Sequence, residues 1–230
     1  MNSNINTWKK INKKEKILIY IFISLSILLI ALTLLYYFNP RLKYQYDSKT
    51  DSYTITKAYG LSHSYTIPKT HKGKKVTKIG PKAFEGMKNL EYINFEDNSN
   101  LEIIDKRAFY DTSIISLNLP DSVKYVYEDA FAYCKKLEVV SASSNSNYHD
   151  IAGSTFFKCE NLKEVDIKNI NSVGTWAFYN CKNLNQIYLN DSCTVYNDAF
   201  YNCTITIFIN DTKMFQQGYD NHANVTIKSY

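Results

Sequence analysis

The chain has 230 residues with 27 basic and 22 acidic side chains, enough for one medium domain plus appendages. The net charge of +5 is unevenly spread: residues 1–38 hold five Lys and one acid, 39–90 hold 11 bases and 3 acids, and 91–230 hold 11 bases and 18 acids. Beyond the tail the sum is close to neutral, which argues against a nucleic-acid surface and leaves charge asymmetry as a statement about partners.

In chain order, residues 1–16 form a Lys-rich tail with Trp8 and Lys9, Lys10, Lys13, Lys14 and Lys16. Residues 17–38, ILIYIFISLSILLIALTLLYYF, contain no charge. As a helix this run is about 33 Å long, enough for a hydrocarbon core of about 30 Å. Tyr36 and Tyr37 suit the far interface, and the preceding Lys place the N-terminus in the cytoplasm and the remainder outside. A cleaved signal peptide has a shorter apolar core, of about 7–15 residues, and a small-residue cleavage site that is not seen here. The expectation is therefore a single-pass membrane protein with the lipid bilayer contacted through 17–38. Residues 39–52 are expected as a stalk.

From there the sequence repeats. Ala-Phe recurs at Ala83-Phe84, Ala108-Phe109, Ala130-Phe131, Ala177-Phe178 and Ala199-Phe200, with Thr155-Phe156 as a sixth copy. The Phe-to-Phe intervals are 25, 22, 25, 22 and 22. Five residues before each Phe stands an aliphatic: Ile79, Ile104, Val126, Ile151, Val173 or Val195. Three after it stands Met87, Thr112, Cys134, Cys159, Cys181 or Cys203. A short alternating stretch closes each unit, for example Ile93/Phe95 and Ile187/Leu189. Period two reads as one strand per unit, and units of this size bury their apolar face only by stacking.

The pattern I-x3-A-F-x2-C-x2-L-x2-I-x-L resembles the BspA-like (Treponema pallidum type) leucine-rich repeat. Residues 66–84, TIPKTHKGKKVTKIGPKAF, look like that family's opening unit. The resemblance spans roughly 53–230. It implies a leucine-rich-repeat solenoid, β-rich, with short parallel strands joined by turns or short helices. The expected layout is an N-cap at 53–75, repeats at 76–209 and a C-cap at 210–230. Tyr44 to Thr66 would give a hairpin-like cap, Asp211 or Thr212 would start a short helix to about Tyr219, and Val225 to Ile227 would add a last strand. Thr155 and Thr112 depart from the pattern and predict slightly irregular turns.

The Cys column admits three readings. Metal fits poorly, since no C-x2-C pair or ligand-spaced His accompanies it. Adjacent units would bring Cα atoms near disulfide distance. The preferred reading is a buried ladder of free thiols, because Met87 and Thr112 fill the same slot. Cys193 lies between units and is the candidate for exposure. His63, His71, His149 and His222 are expected on surface loops. No phosphate loop and no nucleophile elbow occurs, so the chain reads as no enzyme, with no cofactor, no metal and no small-molecule substrate. The run Lys69, Lys72, Lys74, Lys75, Lys78 and Lys82 reads either as a solvated turn, the preferred reading, or as a patch for anionic headgroups or wall polymers. The four N-x-S/T sequons, at Asn190, Asn202, Asn210 and Asn224, are what an Asn-rich chain produces by chance.

Between the two core positions of each strand, side chains face outward. This gives the candidate binding face: Tyr92, Asn94, Asn118, Glu164, Asp166, Gln186, Tyr188 and Phe208, polar early and aromatic late. The functional expectation is a surface protein that binds a protein ligand, and relatives in the family imply adhesion to host or other cell surfaces. The alternative is a structural or assembly component that binds another protein of its own envelope.

Overall fold

The computed structural model describes residues 12–143, 145–210 and 224–229. Trp8, Lys9 and Lys10, the helix expected at 211–219, and His222 lie outside the described residues. The chain divides into two units, 1–39 and 40–230.

The first unit is one helix, α1 (Lys13–Phe38). It begins four residues before the uncharged run because Asn12 and Glu15 form a capping box. The Asn12 side chain accepts from Glu15 N at 2.9 Å, and Glu15 Oε2 accepts from Asn12 N at 2.9 Å. Two free amides at the helix start are thereby satisfied. Ser24, Ser26 and Thr33 donate to the carbonyls of Ile21, Phe22 and Ile30, so these hydroxyls need no water. Apolar residues cover every side of the helix, unlike a helix that buries one stripe. It is long and apolar enough to cross a membrane.

The second unit is a β-solenoid of about seven turns. It opens with β1 (Arg41–Asp47), antiparallel to β2 (Ser52–Tyr59). The stalk expected at 39–52 is thus corrected. Leu42 and Tyr44 pack half-buried against the core, and this anchors the segment as a strand. Next come β3 (Ser64–Ile67), β4 (Thr70–His71) and β5 (Lys74–Ile79). The β4–β5 hairpin turns at Lys72 and Gly73, both at positive φ.

Thereafter each coil has a two-residue strand, a turn, and a longer strand. The longer strands are β6 (Tyr92–Phe95), β8 (Ser116–Leu119), β10 (Val139–Ala142), β12 (Glu164–Asp166), β14 (Gln186–Tyr188) and β16 (Thr204–Ile209). The short ones are β7 (Ile103–Ile104), β9 (Tyr125–Val126), β11 (Asp150–Ile151), β13 (Ser172–Val173) and β15 (Thr194–Val195). The chain closes on β17 (Asn224–Ser229), parallel to β16. The wide side forms two parallel ladders, β3-β6-β8-β10-β12 and β14-β16-β17. The narrow side forms β1-β2-β5-β7-β9 and β11-β13-β15. The longer 25-residue intervals place their extra residues in the connections 96–102 and 143–149.

The turn side explains the Ala-Phe signature. Phe84, Phe109, Phe131, Phe156, Phe178 and Phe200 are buried and stack face to face, with ring centroids 4.7, 5.2, 5.8, 5.5 and 5.4 Å apart. Tyr65 closes the column edge-on to Phe84 at 5.6 Å. In each turn the residues two before and two after Phe have positive φ, as in Arg107 (57°) and Asp111 (58°) or Asp198 (56°) and Asn202 (56°). This left-handed conformation recurs every fourth residue and prevents a helix from forming. It also aims every second amide at the next coil. Phe84 N donates to Ala108 O at 2.7 Å, Phe109 N to Ala130 O at 2.8 Å, and Phe178 N to Ala199 O at 2.8 Å. The turns thus build a hydrogen-bonded ladder of their own. Thr155 does not disturb it. Its carbonyl accepts from Phe131 N at 3.0 Å and its hydroxyl donates to Ala152 O at 2.8 Å. Thr112 also keeps its place, with Oγ1 3.2 Å from Cys134 Sγ. The irregularity expected at these two positions amounts to one wider ring spacing, between Phe131 and Phe156.

All five Cys are free and buried. The hydrogen bonds of the turns explain why this column prefers Cys. Each thiol donates to the Phe carbonyl of the preceding coil: Cys134 to Phe109 O at 3.2 Å, Cys159 to Phe131 O at 3.2 Å, Cys181 to Phe156 O at 3.1 Å, and Cys203 to Phe178 O at 3.1 Å. The slot calls for a small apolar group with one weak donor. Cys193, the candidate for exposure, is only 9% exposed. It packs against the core cluster, so that expectation is corrected. His63 is an exposed loop residue, as expected, but the same placement is corrected for His71 and His149. His71 ends β4 and stacks on Tyr44 at 3.8 Å, with Tyr53 edge-on at 4.8 Å. His149 is half-buried, with a buried Nδ1.

Candidate functional site

The wide sheet sets the outward columns by register. Tyr92 pairs with Ser116, Ser116 with Val139, and Val139 with Glu164. Asn118 pairs with Ser141, and Ser141 with Asp166. In the second ladder Gln186 pairs with Thr206, and Tyr188 with Phe208 and then Lys228. The intervening Ile93, Leu117, Val140, Val165, Ile187 and Ile207 are buried. Alternation therefore divides each strand between core and solvent.

Of the candidate residues, Tyr92 (48% exposed), Asn94, Asn118, Glu164, Gln186 and Tyr188 (40%) are exposed, while Asp166 and Phe208 are half-buried. The structure brings five of them together in two groups, and Tyr92, Glu164 and Gln186 belong to neither. In the first, Asn94 Nδ2 donates to Ser64 Oγ at 3.0 Å, and Ser141 Oγ donates to Asn118 Oδ1 at 3.2 Å. Beside them lies a concavity of about 650 Å³ lined by Asn94, Asn118, Glu96, Asp97 and Asp121. It exists because the first longer interval loops out at 96–102 next to Pro120 and Asp121. In the second group Tyr188 and Phe208 stack with centroids 4.9 Å apart, and Lys168 Nζ lies 5.9 Å over the Tyr188 ring. Lys168 also pairs with Asp166, so an acid, a base and two rings form one continuous patch. No ladder joins β12 to β14, so the second group straddles the break: Asp166 ends the sheet that carries Asn94 and Asn118, and Tyr188 and Phe208 stand on the next.

At the flank of the face, Glu91 receives Lys136 at 2.9 Å and His63 at 3.3 Å. These hydrogen bonds, Lys136 first, hold its carboxyl below the usual carboxylate range. The buried thiols titrate the opposite way. Desolvation pushes Cys134 up to about 11 and Cys203 up to about 12. A thiol kept neutral is a poor nucleophile and a poor metal ligand, so this column serves packing. Among the described residues there is no group of three or more His, Cys, Asp or Glu able to hold a metal ion.

Two surfaces escaped the sequence reading. A second aromatic column, half-buried, runs Tyr110, Tyr133, Phe157, Tyr179 and Tyr201, with spacings of 5.2, 5.5, 4.8 and 4.6 Å. Its signal was present as an aromatic after the repeated Phe in four units, shifted by one at Tyr133. On the narrow side Tyr125, Tyr127, Trp176 (47% exposed) and Tyr196 face outward, irregularly spaced in sequence.

The sequence matches the BspA type leucine-rich repeat region in six copies, over residues 54–169 and 102–220. The chain belongs to this family. Its fold is similar to the crystal structure of the T. pallidum leucine-rich repeat protein, at 20% identity and a TM-score of 0.58, covering 73% of this chain and 82% of that one. It is also similar to the pneumococcal vaccine antigen PcpA, at 22% identity and a TM-score of 0.43, covering 79% of this chain and 34% of that one. A leucine-rich cell surface protein from Faecalibacterium prausnitzii matches at 22% identity and a TM-score of 0.46, covering 82% and 48%. None of the curated proteins matches.

Proposed function

We propose that this BspA-type leucine-rich repeat protein is held in a membrane by α1, with its N-terminus cytoplasmic, and binds a protein ligand on the outward face of its wide sheet. The observation that carries the reading is the Asp166–Lys168–Tyr188–Phe208 patch. A stacked aromatic pair with Tyr188 40% exposed serves no burial that the fold requires. Rings flanked by one acid and one base are the composition of an interface centre with a polar rim. Leucine-rich-repeat solenoids are typically binding scaffolds, and this one offers an open face where catalysis favours an enclosed pocket. Adhesion to another cell is the specific form we assign to that binding.

The test is proximity labelling on intact cells by the full chain, compared with the same chain carrying Tyr188→Ala and Asp166→Lys. Foreign or host proteins recovered by the parent and lost by the variant support adhesion. Recovery of the cell's own envelope proteins alone turns the assignment to envelope assembly. Equal recovery by both chains removes the patch from the ligand site.

A further inference from the structure

The solenoid's first hairpin carries two lysines that its own fold does not pair. Lys43 on β1 and Lys57 on β2 stand directly opposite each other in the antiparallel register, and Arg41 stands opposite Tyr59. Both lysines are exposed, and neither is in an ion pair with a described residue. Like charges placed directly opposite across a strand pair repel. Three nearby bases do find acids: Lys74 with Asp51 at 2.6 Å, Lys78 with Asp105 at 2.6 Å, and Lys88 with Asp111. Lysine on an edge strand also deters pairing with a second copy, which accounts for Lys43 on β1. It does not account for Lys57, since β2 is paired on both sides.

Two further side chains share this corner. Tyr59 is 44% exposed, and Leu61, two residues on, is exposed as well. Bases mixed with an exposed aromatic and an exposed aliphatic compose a surface suited to the headgroup layer, where rings and alkyl groups sink and ammonium groups meet phosphate. Covalent distance points the same way. Arg41 follows Phe38, the last residue of α1, by three residues. Three residues of extended chain reach no more than about 11 Å. If α1 spans a bilayer, Arg41 cannot leave the interfacial region.

From this we infer that the Arg41, Lys43, Lys57, Tyr59 and Leu61 corner docks on anionic phospholipid headgroups. The inference rests on the reading of α1 as a membrane span. Phosphate supplies the negative charge that the Lys43–Lys57 pair lacks, and docking fixes the first coil at the membrane surface. The attraction is electrostatic and short-ranged, so salt weakens it.

The test uses the full chain reconstituted in vesicles of phosphatidylcholine alone or mixed with phosphatidylglycerol. A water-soluble, membrane-impermeant amine-acylating reagent is applied, and each lysine's rate is read by peptide mass spectrometry relative to Lys182 in the same molecule. Lys43 and Lys57 should react roughly threefold or more slowly in the anionic vesicles, and the difference should vanish at about 0.5 M salt. Equal rates in both vesicles, with the chain still floating with them, overturn the docking while leaving the anchor intact. A chain that floats with neither vesicle overturns the anchor and the docking with it. If soluble polyphosphate added to phosphatidylcholine vesicles protects the two lysines as well at equal phosphate concentration, the site is assigned to phosphate polymers and the lipid assignment is lost.

Discussion

The turn side and the wide-strand side of the solenoid are wound from the same coils, yet they follow different rules. On the turn side the amide-to-carbonyl ladder runs from Ala58 through Phe178 without a gap, and the residues that build it are nearly identical from coil to coil. On the wide side the ladder parts between β12 and β14, and the outward columns change from Asn to Ser to Asp to Tyr. The coils are therefore locked to each other chiefly at the Ala-Phe turns. The wide face can vary because little of the fold depends on it. Its outward residues are free to serve a ligand, and the turn residues are not.

The largest expected effect comes from removing one rung of the turn side. Phe156 is fully buried between Phe131 and Phe178. Phe156→Ala should cost about 3–5 kcal/mol, from lost transfer energy and the cavity left in the column. Each coil contacts only its neighbours, so the loss should also uncouple the two halves of the stack. On the wide face Asn118→Ala should cost less than about 0.5 kcal/mol, as surface substitutions do. Chemical denaturation of the full chain checks both. Similar losses at the two positions would refute the division between locked turns and a variable face, and a second unfolding transition in Phe156→Ala alone would sharpen it.

This contrast also explains what the sequence could disclose. The Phe ladder was legible because a solenoid needs the same shape at every coil, and that need writes a period into the chain. The strand alternation was legible for the same reason, and it placed the outward columns correctly. The left-handed turn positions were not legible, because Lys82, Arg107, Asp129, Ser154, Trp176 and Asp198 share no chemistry that announces positive φ. The 41–47 strand was read in two ways, as part of a stalk at 39–52 and, from Tyr44, as part of a hairpin-like cap: RLKYQYD alternates polar and apolar strictly, but it pairs outside the repeat and no period marks it. The break after β12 has no visible marker in the sequence. The candidate face could be listed from parity alone. Its division into an acidic concavity and an aromatic patch needed the loop at 96–102 and the interrupted ladder.

A middle-sized effect separates close coil contact from turn conformation. A Cβ on Gly174 would lie 2.5 Å from Gly153 N and 2.8 Å from the Ala152 carbonyl carbon, which are backbone atoms that cannot rotate away. Gly174→Ala should force the fourth and fifth coils apart at a cost of about 1–3 kcal/mol. Gly86 has φ +74, and a Cβ added there would meet nothing within 4 Å. Gly86→Ala meets only the left-handed penalty of about 1–2 kcal/mol, reduced by the less flexible unfolded chain. Thermal unfolding should therefore rank Gly174→Ala as the more damaging change. The reverse order would mean that turn conformation, rather than coil spacing, limits the stack.

The smallest effect is read through pH, and it tests whether the thiol column belongs to the turn side. Cys134 is raised from 9.0 to about 11, desolvation being the main cause. Below the unfolded value both states keep the proton, and the contribution of the buried thiol is fully present. As pH rises from 9 toward 11 the unfolded chain ionises and the folded chain does not, so stability falls across that window and levels off above it. At pH 10 the loss attributable to this one thiol is about 1 kcal/mol. Cys134→Ala should be less stable than the parent near neutrality, by about 1–2 kcal/mol for the lost packing and the lost bond to the Phe109 carbonyl. It should then lose about 1 kcal/mol less than the parent between pH 8 and pH 10. Parallel pH curves for the two chains would mean that water reaches the thiol in the folded state. The column would then belong with the variable wide face and not with the sealed turns.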